Sequence, residues 1–289
     1  MKTSFGFKNA AITLTWFWLM LFALIPFCLI VIISLLTHSD KELVQLTPTL
    51  HNYYLLLNST YFHIFEKSIL LAGIATLFTL ILGYPFAYIV ARTEGQMKNI
   101  LLLLVVIPFW TSSLIRSYAL IAILKAKGIL NSILMSWGLI HQPLSILFTN
   151  YAVVIGLVYN LLPFMILPIM TNVERLDEEL IDAAHDLGAN WFTTFTKIVL
   201  PLTIPGIVAG CTLVFLPAMT IFYIPDILGG AKSILLGNVI QNKFLIAQNW
   251  PMGGAVSTVL TLILIALIAV YWWASHIGKT DDDQDSVWL

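Results

Sequence analysis

The residues of this chain that could carry chemistry form no recognisable catalytic set. The sequence contains no His-Glu-x-x-His or Gly-x-Ser-x-Gly pattern and no close Asp or His pair within its apolar stretches, which metal-assisted or nucleophilic hydrolysis would require. Gly278-Lys279-Thr280 resembles the end of a phosphate-binding loop, but Trp273 stands where its first glycine belongs. Cys28 and Cys211 lie inside apolar runs and are expected to pack as small hydrophobic residues. The sequence predicts no enzyme, no catalytic residue and no metal site.

The densest group of charged residues lies in the interior segment between residues 171 and 201. It comprises Glu174, Arg175, Asp177, Glu178, Glu179, Asp182 and Asp186. Leucines at 176, 180 and 187, with an alanine between them, recur at spacings of three and four, which predicts an amphipathic helix. Gly188 is expected to end this helix. Asn190 then predicts the N-cap of a second short helix from Trp191 to Leu200.

A short surface helix–turn–helix of this kind has two interpretations. It can bind in the groove of a partner protein through its exposed face, or it can lie on a membrane surface through its apolar face. The physical pattern alone leaves both open.

The elements that position this segment are predicted to be membrane helices. Of the 289 residues, 59% are hydrophobic and 10% are charged, and the mean hydropathy is +0.92. The net charge of −1 gives no basic field for nucleic-acid binding. Six apolar stretches are long enough to cross a bilayer core of about 30 Å: 11–36, 68–91, 99–124, 151–171, 198–224 and 254–274. The fold class is therefore an all-α, polytopic membrane protein with six spans.

Two further features follow from this pattern. The segment from Gly128 to Ile140 is too short to span and is predicted to be an interfacial or re-entrant helix. Six spans place both termini on one side of the membrane. Lys and Arg are divided almost evenly between the two sides, so the positive-inside rule does not fix the orientation.

One motif in the charged segment resembles a known family. Asp182-Ala183-Ala184, three residues, Gly188, nine residues and then Ile198, Val199, Leu200 and Pro201 are similar to the EAA loop of ABC importer permeases. That pattern is Glu-Ala-Ala, three residues, Gly, nine residues, Ile-x-Leu-Pro. Asp182 in place of Glu is the one departure; it keeps the charge and shortens the side chain.

The resemblance implies a location and a partner for this segment. Residues 172–200, called the coupling segment below, would be cytoplasmic and would dock into an ATP-binding subunit dimer that itself binds ATP and Mg. The chain would bind no cofactor of its own. Both termini would then be cytoplasmic, and residues 1–289 would form a single permease domain of the type I ABC importer architecture with a solvated acidic tail at 279–289.

The similarity extends over essentially the whole chain. It includes Gly83-Tyr84-Pro85-Phe86-Ala87, the run from Ile107 to Arg116, Leu216-Pro217-Ala218-Met219 and Phe222-Tyr223-Ile224-Pro225-Asp226. Together these segments resemble the PotB-type permeases of spermidine/putrescine importers. Such a chain would work in the bacterial inner membrane with a second homologous permease, an ATPase dimer and a periplasmic substrate-binding protein.

The resemblance and the residue types together suggest a substrate path. Ring faces, hydroxyls and few carboxylates suit a polycation that must bind and leave quickly; the candidates are Trp110, Thr111, Ser112, Phe222, Tyr223 and Asp226. Each aromatic residue could equally be lipid-facing or part of the core, and Asp226 could be a solvated loop residue.

Arg116 is a charge within a predicted span, which is costly and normally faces a cavity or a partner. Because it would repel a polycation, a structural or gating role is expected, with pairing across the interface to the second permease. The alternative is an importer for another solute, such as sulfate, molybdate or ferric ion; for an anion, Arg116 would be a natural ligand.

Overall fold

The computed structural model describes residues 3–39, 43–230 and 233–277. The predicted acidic tail at 279–289 lies outside these residues. The helices are α1 Thr3–Leu19, α2 Ile25–Ser34, α3 His51–Leu56, α4 Ser59–Arg92, α5 Gly95–Trp110, α6 Ser113–Leu124, α7 Ile129–Ser136, α8 Asn150–Glu174, α9 Glu178–Asp186, α10 Trp191–Thr194, α11 Leu200–Thr220, α12 Tyr223–Gly229, α13 Leu236–Gln241 and α14 Trp250–Ile277. Strands β1 Leu36–Thr37 and β2 Gln45–Pro48 form one antiparallel pair.

Six helical stretches among the described residues are long and apolar enough to cross a membrane. They are Ala11–Ser34, Ser59–Arg92, Ser113–Ser136, Asn150–Glu174, Trp191–Thr220 and Trp250–Ala269. The prediction of a helical, polytopic membrane fold is therefore confirmed. The second stretch begins at Ser59, nine residues before the expected Ser68.

The chain divides into two compact units, so the single domain over 1–289 stays a prediction. The first unit comprises Met1–His63 and Val239–Ala266. Within it, the Asn52 side chain donates to the carbonyl oxygens of Ser34 and Leu36 at 3.0 and 2.8 Å, which ties α3 to the end of α2. Gly254 lies against α2, where a Cβ would come within 3.0 Å of the Ile30 carbonyl oxygen.

The second unit, Ile64–Asn238 with Leu267–Leu289, is built around α8. This helix buries Leu157, Met165 and Ile169 completely. Its neighbours α4 and α11 approach closely because each presents a glycine to the Met165 side chain: a Cβ at Gly83 or Gly210 would lie 3.1 or 2.7 Å from it. Small residues at such crossings allow membrane helices to pack without a hydrophobic driving force.

The stretch predicted as the third span, 99–124, is not one continuous helix. The helix α5 ends at Trp110, Thr111 is extended, and α6 begins at Ser113. Pro108 has no backbone N–H to donate within the last turn of α5. The Thr111 hydroxyl donates to the Pro108 carbonyl oxygen at 3.0 Å. The candidate span here is Ser113–Ser136, which includes the short helix α7, and α5 is a separate, shorter apolar helix.

The predicted fifth span, 198–224, also breaks before its expected end. The helix α11 ends at Thr220, and Tyr223 already belongs to α12. The break shares a proline–threonine pair with the first one: Thr220 lies three residues after Pro217, and its hydroxyl donates to the Pro217 carbonyl oxygen at 3.2 Å. Here the threonine is the last helical residue, and Ile221 is the extended one. A local side-chain bond of this kind competes with continuation of the helix.

Candidate functional site

The coupling segment folds as two helices around a glycine turn, as its sequence predicts. The Asp177 side chain caps α9 by accepting from the Glu179 N–H at 3.0 Å. Gly188 ends the helix with φ of +83°, a left-handed conformation that favours glycine. The Asn190 side chain then caps α10 by accepting from the Thr193 N–H at 2.8 Å.

The second helix of this segment does not stop at Leu200. It continues through a π-helical turn, Phe195–Val199, directly into α11, so that Trp191–Thr220 is one helical stretch. The expected end of this helix at Leu200 is therefore wrong: Pro201 follows the π turn within one continuous helical stretch. The π turn shifts the bonding register, since the Leu200 N–H bonds to the Phe195 carbonyl oxygen. A displacement of α10 is consequently passed to a membrane helix without an intervening loop.

The coupling segment exposes large apolar side chains around its turn. Leu187 is 90% exposed, and Trp191 and Phe192 are each 67% exposed. Of the seven motif residues, Asp182, Ala183, Gly188 and Pro201 are exposed, Ile198 and Leu200 are half-buried, and Ala184 is buried. The segment thus presents an apolar surface that nothing among the described residues covers.

Contacts that sequence reasoning missed attach the coupling segment to the end of α4 and to the first turn of α5. Arg92 Nη1 lies 2.7 Å from Glu178 Oε1, and Lys98 Nζ lies 3.1 Å from Glu174 Oε1. These residues are far apart in sequence, and charge patterns of a single chain do not reveal such pairs.

A second attachment is buried. The Tyr84 and Thr203 hydroxyl groups are hydrogen-bonded at 2.9 Å, and the Tyr84 ring meets the Phe195 ring edge-on with centroids 5.7 Å apart. Phe195 stacks in turn on Trp191 at 5.5 Å. A chain of packed rings therefore connects the exposed Trp191 to Tyr84 in the C-terminal third of α4.

A partly open cavity of about 310 Å³ lies where the two predicted spans break. Thr111 and Ser113 line it from the first break, and Ile221 and Tyr223 line it from the second. Discontinuous membrane helices commonly form binding sites in transporters, because their free backbone groups must face protein or water.

Two polar side chains in this cavity have unsatisfied hydrogen-bonding groups. Arg116 Nε and Nη1, and Asn160 Oδ1, are buried and have no hydrogen-bond partner among the described residues. Asn160 is only 4% exposed, and its amide nitrogen donates to the Gly156 carbonyl oxygen at 2.9 Å. The Arg116 guanidinium carbon lies 5.8 Å from the Tyr159 ring centroid. An unpaired buried polar group costs about 1–3 kcal/mol, and a charged one costs more.

The residues predicted for a substrate path are only partly brought together. Of these residues, Thr111 and Tyr223 line the cavity, whereas Trp110 is 77% exposed and Ser112 and Phe222 are exposed beside the breaks. Arg116, for which a structural or gating role is expected, also lines the cavity. Asp226 is exposed and accepts from the Asn238 amide, which also donates to the Phe222 carbonyl oxygen at 2.7 Å. Asn160 was missed because a lone amide within an apolar run gives no periodic signal. The only available signal was that Asn160 lies one span away from Arg116.

Metal binding finds no support in the described part of the chain, residues 3–39, 43–230 and 233–277. No three His, Cys, Asp or Glu side chains there lie close enough to hold a metal ion.

Comparison with known proteins identifies the relatives of this chain. It is 47% identical over 287 residues to the spermidine/putrescine transport system permease protein PotB of Salmonella typhimurium (strain SL1344), which covers 99% of this chain and 100% of that one. It is 48% identical over 260 residues to the protein of the same name from Escherichia coli (strain K12), with 90% and 94% coverage.

A solved structure shares the fold. A bacterial ABC transporter involved in the import of the acidic polysaccharide alginate matches with a TM-score of 0.76 at 14% identity, covering 95% of this chain and 96% of that one. The model of the family described as "Binding-protein-dependent transport system inner membrane component" matches residues 83–279. The chain therefore belongs to this family and is a multi-pass transport component of the inner membrane rather than an enzyme.

Proposed function

We propose that this chain is a pore-forming permease subunit of an ATP-driven ABC importer that carries polyamines such as spermidine and putrescine into the cytoplasm. The observation that carries this proposal is the full-length identity of 47% to a permease named for spermidine/putrescine transport. The alternative substrates, sulfate, molybdate and ferric ion, gain no support from these relatives.

The coupling segment supports an ATP-driven mechanism. Its exposed Leu187, Trp191 and Phe192 offer an apolar surface to a cleft on an ATP-binding subunit, and Asp182, Ala183 and Gly188 lie beside them. ATP and Mg are bound by that subunit. Closure of its dimer would move α10, and the continuous helix Trp191–Thr220 would pass this movement to the breaks at Thr220 and Thr111. The path would then open alternately to the two sides.

The remaining partners follow from the same assignment. A second homologous permease completes the pore, and a periplasmic binding protein delivers the substrate. A related alginate transporter structure contains a pentasaccharide-bound periplasmic protein, which supports a partner of this kind. A cytoplasmic coupling segment places both termini in the cytoplasm, and the remaining apolar surface contacts membrane lipid.

The charge of Arg116 constrains where the polyamine travels. An ammonium group roughly 6 Å from a guanidinium is repelled by about 3 kcal/mol at an effective dielectric constant of about 20. A cation–π contact returns only about 0.5–2 kcal/mol. The substrate therefore contacts Trp110 and Phe222 outside the cavity, with Ser112 and Asp226 beside them, and reaches Thr111 and Tyr223 only when Arg116 is neutralised.

The test is ATP hydrolysis by the complex of this chain with the second permease, the ATPase and the binding protein in nanodiscs. Spermidine, putrescine and sulfate are titrated separately. We expect stimulation by the polyamines alone, abolished by Gly188→Asp. Gly138→Asp is the matched control, because Gly138 also has a positive φ, of +70°, and open space around its Cβ position, yet lies outside the coupling segment. Stimulation by sulfate alone would overturn the substrate assignment.

A further inference from the structure

The cavity between the two helix breaks contains an incomplete electrostatic site. Arg116 Nε and Nη1 are buried without a hydrogen-bond partner among the described residues, and Asn160 Oδ1 is buried in the same state. Both side chains line the cavity. Charges in membrane helices pair with one another or with backbone carbonyls, or face a cavity, so the buried Nε and Nη1 of Arg116 favour a counter-charge in this cavity.

The surroundings of Arg116 strengthen the preference for an anion. Arg116 lies in the first turn of α6, a helix of 12 residues whose N-cap residue, Ser112, makes no side-chain cap hydrogen bond. Free N–H groups and the positive end of the helix dipole add to the charge of the guanidinium. The Tyr159 ring at 5.8 Å offsets only part of it.

The counter-charge is not supplied by the described residues that line the cavity, none of which is acidic. The nearest acidic residue along the lining elements is Asp226, one turn after Tyr223 in α12, and its carboxylate accepts from the Asn238 amide. The cavity is partly open, and Trp110 and Phe222 beside it are exposed.

We propose that this cavity is the socket for a carboxylate side chain, an Asp or Glu within a membrane span of the second permease subunit. The carboxylate accepts from the Arg116 guanidinium. A guanidinium has five N–H donors, so Arg116 has donors to spare for the partner carboxylate; Arg116 and Asn160 line the same cavity but are not hydrogen-bonded to each other in this structure. This inference rests on the proposed function, since it requires a second permease, and it explains how a polycation path can contain an arginine.

The experiment measures how much of this chain is retained when the second permease is purified through an affinity tag from detergent-solubilised membranes. Arg116→Gln is expected to reduce retention at least tenfold. Replacing one span Asp or Glu of the second permease by its amide is expected to give the same loss, and each such residue is tested singly.

Asn160→Asp provides the decisive second variant. It places a carboxylate inside the cavity, where it neutralises Arg116 within the same chain. We expect Asn160→Asp to restore at least half of the retention lost by neutralising the partner residue. It should restore nothing when Arg116 is already glutamine. The fold of each single variant is checked by its thermal unfolding in detergent.

Three results would overturn the inference. Wild-type retention by Arg116→Gln would show that the guanidinium has no role in assembly. If neutralising each span Asp or Glu of the second permease reduced retention equally with and without Asn160→Asp in this chain, no partner carboxylate would enter the cavity. If replacing chloride with gluconate reduced the retention of the wild-type chain to the same extent, the site would be assigned to a free anion. Failure of the wild-type chain to bind any second permease would instead contradict the proposed function itself.

Discussion

The coupling segment and the cavity at the helix breaks have opposite surface chemistry. In the coupling segment, Asp177 and Asn190 cap their own helices, while Leu187 and Trp191 are exposed. In the cavity, the Phe109 and Phe164 rings pack edge-on at 5.1 Å, while buried polar atoms of Arg116 and Asn160 have no hydrogen-bond partner within the described part of the chain. The first region is therefore prepared to bind a partner by burying apolar surface, and the second by neutralising a charge.

This difference separates the two kinds of partner. Apolar docking is non-directional and tolerates movement between the two proteins, as a coupling contact must. A buried ion pair is directional and fixes register, because removing one side leaves an unpaired charge. High salt is therefore expected to weaken both the apolar docking contact and the buried ion pair less than it weakens exposed ion pairs.

The largest expected effect is on the apolar side of this comparison. Leu187→Gln removes a 90% exposed side chain from the proposed docking surface without adding charge at the end of α9. A central docking residue contributes about 2 kcal/mol or more, roughly thirtyfold in affinity. The affinity of the purified ATP-binding subunit for the permease in nanodiscs measures this directly.

Leu46→Gln is the matched control for that variant. Leu46 is 84% exposed in β2 and lies outside the coupling segment. It should leave the affinity for the ATP-binding subunit unchanged. Equal losses from the two variants would mean that Leu187 has no specific part in docking.

A smaller effect is expected inside the protein, at the Tyr84–Thr203 hydrogen bond. Thr203→Val leaves the buried Tyr84 hydroxyl without this partner and should lower the free energy of unfolding by about 1–3 kcal/mol. Tyr84→Phe removes the other hydroxyl and should cost about 0.5–1.5 kcal/mol, because Thr203 still donates to the Val199 carbonyl oxygen. Thermal unfolding in detergent measures both, and additive losses in the double variant would exclude a direct interaction.

The smallest effect concerns the ion pair that holds α9 to α4. Arg92→Glu replaces an attractive contact with Glu178 by a repulsive one, but Glu178 is 74% exposed, so the change is expected to be about 0.5–1 kcal/mol. Substrate-stimulated ATP hydrolysis should fall two- to fivefold. Adding Glu178→Arg should recover it; a further fall in the double variant would count against this pair as an anchor.

The coupling segment was predictable because its structure is local. The leucine spacing predicted α9, and Gly188 and Asn190 predicted the turn and the cap, all of which depend on neighbouring residues. The continuation of α10 into α11 was not predictable in this way, because a π turn accommodates Pro201 and leaves no trace in hydropathy.

The cavity could not be predicted from apolar stretches alone. Hydropathy depends on side-chain polarity and carries no information about backbone conformation. The breaks at Thr111 and Thr220 therefore could not be seen within the apolar stretches. A signal was present: both breaks follow a proline by three residues and place a threonine there. Proline alone is insufficient, since α8 continues through Pro163 and Pro168. The placement of Asn160 and Arg116 on the same cavity depends on helix packing.

The central claim is tested most directly by uptake of radiolabelled spermidine into proteoliposomes that contain the complete complex, with ATP inside and binding protein outside. The account predicts ATP-dependent accumulation with the wild-type chain and with Leu46→Gln, and strongly reduced accumulation with Leu187→Gln. Accumulation that does not require ATP, or that Leu187→Gln leaves unchanged, would contradict it.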